Sequence, residues 1–305
     1  SLLQTTTGVN TGAIGQGASA LQESAFAIGN SSSAEGLKSL AVGHSSSSKA
    51  QSTIAIGSTA NALADHALAI GKSASGIGSC SLAAGSSATA AGNQSTAVGS
   101  QTRAGDQASA FGQCAQANGS NSLALGSGAL SAGTKGIAIG ANSSASNTQS
   151  IAIGVQANAS ADNATALGLQ AKAVANNSLA IGSFSNSAGQ NSIAIGFEAF
   201  SQLQSIAMGF QANATGNTSV AIGPQSFALS TSGVALGSTA RVNINSQRSL
   251  ALGAGATVGS SSPNSVAFGP GAAVPDNTSN TFVMGVANSI FQFNSLATPS
   301  DYFSS

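Results

Sequence analysis

Charge is scarce in this chain. Its 305 residues carry eight Lys or Arg and eight Asp or Glu, for a formal net charge of +0. Nucleic-acid binding draws its affinity from clustered cations that release counterions from phosphates, and cations this sparse make no such footprint. Trp is absent and aromatics reach only 4%, which excludes a globular core built on large rings. Long apolar runs are missing as well. Gly, Ser, Asn or Thr breaks the chain every few residues, far short of the ~18 apolar residues of a membrane-spanning helix. What is left is rich in Ala, Gly and Ser, a composition that reads as disorder unless a pattern orders it.

The pattern is a repeat. A Gly closing an Ala-apolar-Gly tripeptide recurs at Gly15, Gly29, Gly43 and Gly57 and onward to Gly253, Gly269 and Gly285. The spacing is 14 residues, shortened to 13 from Gly99 to Gly112 and from Gly196 to Gly209, and lengthened to 16 in the last three intervals. About 20 units tile residues 10–290. Within a unit, alternation such as Ile151-Ala152-Ile153-Gly154 followed by Ala157-Asn158-Ala159 has the period of two of a strand. Gly and Asn-Ser breaks come too often for a helix. Each unit therefore reads as two short strands and two tight turns, one flattened coil of an all-β solenoid. One coil cannot offset its own ordering entropy, so stability must come from stacking. At ~4.8 Å per strand, twenty coils would make a rod roughly 95 Å long.

Size suggests which side chains face inward. The residue one before each Gly is nearly always large and apolar, as at Ile28, Val42, Ile56, Leu125 and Ile139, and the residue three before usually so, as at Phe26, Leu40, Ile54, Leu68 and Leu123. These are expected to fill the coil against small residues three and five places after the Gly, such as Ala18 and Ala20. In the 16-residue coils the fifth place becomes Val242, Val258 and Val274, as a wider coil requires. The middle residue of the apolar strand then faces out. It is Ala at Ala13, Ala27, Ala41, Ala55, Ala69, Ala97, Ala124, Ala138, Ala152, Ala166, Ala180, Ala194, Ala221 and Ala251, with Val283 the one departure, in the last unit. An exposed ladder of methyl groups needs cover, and its small size points to close approach by another copy about a symmetry axis. These alanines are the expected oligomer interface.

The runs Asn191-Ser192-Ile193-Ala194-Ile195-Gly196, Asn121-Ser122-Leu123-Ala124-Leu125-Gly126 and Thr218-Ser219-Val220-Ala221-Ile222-Gly223 resemble the head repeat of trimeric autotransporter adhesins, the YadA-like head. The resemblance covers about nine tenths of the chain. It implies a left-handed parallel β-roll, a homotrimer, display at the tip of a stalk on the outer membrane, an extracellular or cell-surface location, and binding to host matrix or cell surfaces. Handedness and three-fold symmetry rest on the resemblance alone. The expected organisation is a cap or lead-in at 1–9, the β-roll at 10–285 and a non-repeat tail at 286–305, which includes Phe291-Gln292-Phe293 and Asp301-Tyr302-Phe303. No neck, heptad stalk, barrel anchor or signal peptide is read in these residues. The alternative is a subunit of an extracellular filament or phage-type fibre, its coils stacked end to end without a dedicated ligand.

Chemistry has little to work with. Glu23, Glu35, Asp65, Asp106, Asp162, Glu198, Asp276 and Asp301 are scattered over different coils, whereas glycosidic chemistry needs paired acids. No enzyme, cofactor or metal site is expected. His44 and His66 read as surface residues, and Cys80 and Cys114 as free thiols packed like small hydrophobes. Sequons at Asn158, Asn213 and elsewhere barely exceed chance. The outward position of the second strand runs Ser, Asn, Thr, Arg, Gln, Lys, which is no ice-binding array. Phe184, Phe197, Phe200, Phe210 and Phe227 fall in neighbouring coils, and Phe200 and Phe227 are the candidate partner patch.

Overall fold

The computed structural model describes residues 4–286 and 289–294, with side chains as far as Gly285. It contains strands, turns and no helix among the described residues. The coils form a parallel β-solenoid of about 20 turns, and contacts divide them into two units, Ser1–Gln156 and Ala157–Ser305.

In the first unit, three-residue strands from Gly12–Ile14 to Ile151–Ile153 pair in parallel, each with the strand one coil away. Two-residue strands from Thr5–Thr6 to Ser144–Ala145 do the same in a second sheet. Thr5 and Thr6 pair with Ser19 and Ala20, so part of the expected lead-in already occupies a place in the stack. The second unit repeats the scheme from Asn158–Ala159 to Ala273–Val274 and from Thr165–Leu167 to Thr281–Val286. At its end Thr281–Val286 also pairs antiparallel with Ser289–Asn294. Phe291-Gln292-Phe293 belongs to that strand, while Asp301-Tyr302-Phe303 lies outside the described residues. Shortened coils keep register, Thr96 with Ser109 and Ile193 with Ile206, because a corner rather than a strand gives up the residue.

Corners explain the turn chemistry. In the coil from Gly29 to Gly43, Ser31 and Lys38 take φ of 55° and 57°, the left-handed helical region in which tight turns close. The repeat Gly does a different job. Gly57 has φ 136°, and a Cβ placed on it would lie 2.4 Å from the carbonyl oxygen of Gly71 in the next coil. Only Gly fits that backbone and that approach, which is why the residue marks every coil.

The small residues three and five places after the repeat Gly are inside as expected, Ala18 and Ala20 among them, but the three-residue strand is turned the other way round. Counted from the repeat Gly, positions 3, 5, 10 and 12 are buried, as Ser32, Ala34, Ser39 and Ala41 are in one coil. The middle alanines Ala27, Ala41, Ala55, Ala69, Ala97, Ala124, Ala138, Ala152, Ala166, Ala180, Ala194, Ala221 and Ala251 are all 0% exposed inside their own chain, and Ala13 in the first coil is partly buried. They cannot form an intermolecular ladder. The large residues of the three-residue strands assigned to the interior are not buried: Phe26 is 46% and Ile28 40% exposed, and Leu40, Val42, Ile54, Leu68, Leu123 and Ile139 are half-exposed.

Space is the physical reason. Two corners of a few residues hold the sheets so close that the 13- and 14-residue coils admit inward only Gly, Ala, Ser or Thr. Several buried hydroxyls are satisfied within their own corners, Ser39 Oγ donating to Gly36 O at 2.6 Å and Thr53 Oγ1 to Ala50 O at 2.7 Å, whereas Ser81, Ser122 and Ser131 Oγ have no hydrogen-bond partner. In the 16-residue coils Val242, Val258 and Val274 do lie inside, in agreement with the reading of their sequence.

Candidate functional site

Turning the alanines inward turns two columns of large apolar side chains outward. In the first unit Leu40, Ile54 and Leu68 stand in one column and Val42, Ile56 and Ile70 in the next, rung upon rung. In the second unit Leu179, Ile193, Ile206 and Val220 run beside Ile181, Ile195, Met208 and Ile222. The columns are weakened only by small residues such as Gly12, Ala84, Thr96, Ser109 and Thr165, and no charged residue occurs in them. On the outward position of the two-residue strands the pattern is Ser19, Asn61, Thr89, Arg103, Gln116, Asn158 and Lys172, an ordinary wetted face. One sheet of each unit is therefore polar outside and the other apolar outside.

The apolar face is large. Eleven three-residue strands in the first unit at ~4.8 Å spacing and roughly 10 Å width give about 500 Å² of continuous apolar surface, near the upper end of what monomers expose. Burying what these side chains leave in water is worth roughly 0.5–1 kcal/mol each. Summed over two side chains per coil, that is a strong drive to association.

Polar residues at the corners build scaffolding. Asp65 Oδ1 accepts the Gln51 N–H at 3.0 Å, Asp106 Oδ1 the Asn93 N–H at 2.8 Å and Asp276 Oδ1 the Ser260 N–H at 2.6 Å. These three of the dispersed acids thus satisfy turn donors of the preceding coil. Side-chain ladders climb the corners, Asn163 to Asn177 to Asn191 and Gln225 to Gln211 to Glu198. His44 and His66 are exposed, and no group of three His, Cys, Asp or Glu among the described residues could hold a metal ion. Cys80 is exposed and Cys114 half-buried, both free. They sit at left-handed corner positions, with φ 55° and 57°, not inside as small hydrophobes.

The phenylalanines separate into two sets. Phe200 and Phe227 face outward, half-buried, on the two-residue strands, with Asn213 on the rung between them. The Arg241 guanidinium lies 4.9 Å from the Phe227 ring centroid. Phe184, Phe197 and Phe210 occupy the corner just after the repeat Gly. Phe184 and Phe197 meet edge to face at 5.8 Å, and Phe197 and Phe210 stack at 5.6 Å. Sequence spacing grouped the five, but only the coil geometry shows that they occupy different sides. Asn158 and Asn213 lie outward in their strands and half-buried.

These features define a parallel β-solenoid with an interior of small residues and one apolar outer sheet per unit. The model of the YadA head domain repeat matches twelve segments, from 7–32 through 104–129 and 173–199 to 245–272, which together cover most of the chain. The chain belongs to the YadA head family. Among solved structures it is similar to the collagen-binding domain of the Yersinia adhesin YadA, at 23% identity over 55% of this chain and 75% of that one. The TM-score is 0.33, below the level at which two folds superpose as wholes. No curated protein sequence matches.

Proposed function

We propose that this chain is the structural and adhesive head of a trimeric surface adhesin, working outside the cell without catalysis. The observation that carries the reading is the uncharged double column of Leu, Ile and Val on the outside of each unit, which needs a cover of its own kind. A second and third copy provide it, because copies set side by side about an axis parallel to the strand stack meet rung for rung. Family membership supports three as the number, and family heads are surface-exposed. With that sheet buried, the two-residue-strand face is the one left for an outside partner, a host matrix or cell-surface molecule. Phe200 and Phe227 are the apolar points on it.

The test has two parts. The purified chain should assemble as trimers and bind immobilised matrix proteins, collagen among them, or host cells. Phe200→Ala with Phe227→Ala should lower that binding at least tenfold while the trimer persists. Trimers that bind nothing would leave a spacer without adhesive function. The competing reading, an end-to-end filament, is less favoured because the antiparallel strand Ser289–Asn294 closes the last coil, where a parallel neighbour would have to add.

A further inference from the structure

The aromatic ridge of the second unit is not absorbed by the apolar sheet or by the Phe200 and Phe227 face. Phe184, Phe197 and Phe210 are 42%, 41% and 47% exposed, although they already touch one another in successive coils. Leu169 below them and Pro224 above are exposed as well, so five coils in succession present an apolar group at this corner. In most other coils the two places after the repeat Gly carry polar residues such as Asn30-Ser31, His44-Ser45 and Ser100-Gln101, with Val155 a further exposed apolar residue. Phe184 takes the left-handed conformation that this corner position has in coil after coil, φ 60° against 55° for Ser31 and 58° for Gln101, so the backbone is set by the coil and the run of exposed rings is the feature to explain.

Position identifies what covers it. The ridge borders the apolar sheet: Phe197 follows Ile195 by two residues and Phe210 follows Met208 by two, with only the repeat Gly between. The opposite border of the same sheet is the corner that precedes each three-residue strand. In this unit that corner is polar at Asp162, Asn176, Gln190, Asn217 and Thr231. The exposed apolar exceptions in the coils that carry the ridge are Val174, 40% exposed in the coil of Leu169, and Leu203, 43% exposed. Leu203 lies in the same coil as Phe197, the one shortened coil of the unit, from Gly196 to Gly209. In any rotational assembly about an axis parallel to the stack, one border of each copy faces the other border of its neighbour at the same height. That brings the ridge of one copy against the Leu203 corner of the next.

We propose that the Phe184, Phe197 and Phe210 ridge is a clasp between sister chains, seated on the corner at Leu203 of the neighbouring copy. The proposal rests on the trimer reading and deepens it, giving the association a seam at which chirality and axial register are set. A docked matrix protein would be a competing cover for the same rings, and the test distinguishes the two.

The experiment uses the full chain with Cys80→Ser and Cys114→Ser. In that background Phe210→Cys reports on the ridge, and Lys172→Cys, on the wetted face of the same unit, is the control. Sedimentation is read first. In trimers the Phe210→Cys thiol should react with maleimide at least tenfold more slowly than the control. The double variant Phe197→Cys with Leu203→Cys, treated with a short bis-maleimide, should give chains linked into trimers on a denaturing gel. Trimers whose Phe210→Cys thiol reacts as fast as the control would overturn the clasp while leaving the trimer standing, and an outside ligand would then be the cover to seek. Protection without linked chains would overturn the assignment of the Leu203 corner. Monomers at all concentrations would remove the trimer reading and the clasp together. Should the double variant fail to fold, the Phe210→Cys labelling decides alone.

Discussion

The 14-residue coils and the 16-residue coils of the second unit solve the same packing problem with different interiors. In a 14-residue coil, two corners hold the sheets at a separation that admits nothing larger than Thr53, and at the fifth place after the repeat Gly only Gly, Ala or Ser. From Gly237 to Gly285 each coil gains two residues and a third tight turn: Asn245 and Arg248, then Ser261 and Asn264, then Asn277 and Asn280 all take positive φ. The interior widens accordingly. Ala228 and Val242 occupy equivalent rungs, directly paired and both fully buried, on either side of the change. The added corner brings polar backbone inside, and serines satisfy it. Ser246 Oγ donates to Gly259 O at 2.5 Å and accepts the Ser262 N–H at 3.0 Å, while Ser262 Oγ donates to Pro275 O at 2.7 Å and accepts the Thr278 N–H at 3.1 Å. Corner count sets interior width, and interior width sets the residue.

What both kinds of coil share should be the most sensitive to change. A Cβ on Gly126 would lie 2.6 Å from Gly140 O at a backbone φ of 136°, so Gly126→Ala should cost about 3 kcal/mol or more, read as a drop in the denaturant midpoint. The paired rungs sharpen the comparison. Ala228→Val should destabilise by about 1–3 kcal/mol through overpacking, and Val242→Ala by about 2 kcal/mol through the cavity it leaves. Equal tolerance of Val at both rungs in thermal melts would break the width argument. Ser262→Ala leaves the Thr278 N–H without its acceptor and should cost about 1–3 kcal/mol, with faster hydrogen exchange at Thr278. The smallest effect is expected at the surface, where Asn177→Ala removes rungs of an exposed amide ladder and should shift stability by about 0.5 kcal/mol or less.

Much of the architecture is legible in the sequence. The recurrence of Gly gives the number of coils, and the apolar-Ala-apolar alternation gives the strands. The shift to Val242, Val258 and Val274 gives the wider end. The orientation of the three-residue strand departs from expectation for a physical reason: a period of two tells which side chains share a face, not which face is inside. Large apolar residues are inside in most proteins, but here the coil has no room for them. A signal was available in the uniform smallness of positions 3, 5, 10 and 12, such as Ala18, Ala20, Ala25 and Ala27, since an interior that tolerates nothing larger than Thr leaves that record. The candidate site inherited the error. The methyl ladder marks the core, and the surface that seeks a partner is the pair of columns flanking it. The corner ridge at Phe197 could not be told from the Phe200 face by spacing alone, because three residues along the chain turn the corner of the coil.

The central claim is that the outward Leu, Ile and Val columns are covered by sister chains, and analytical ultracentrifugation across a wide concentration range tests it most directly. A trimer that persists to submicromolar concentration, and that Ile139→Lys with Ile195→Lys converts to folded single chains, is the predicted result. A wild-type chain that sediments as a stable monomer throughout would contradict it.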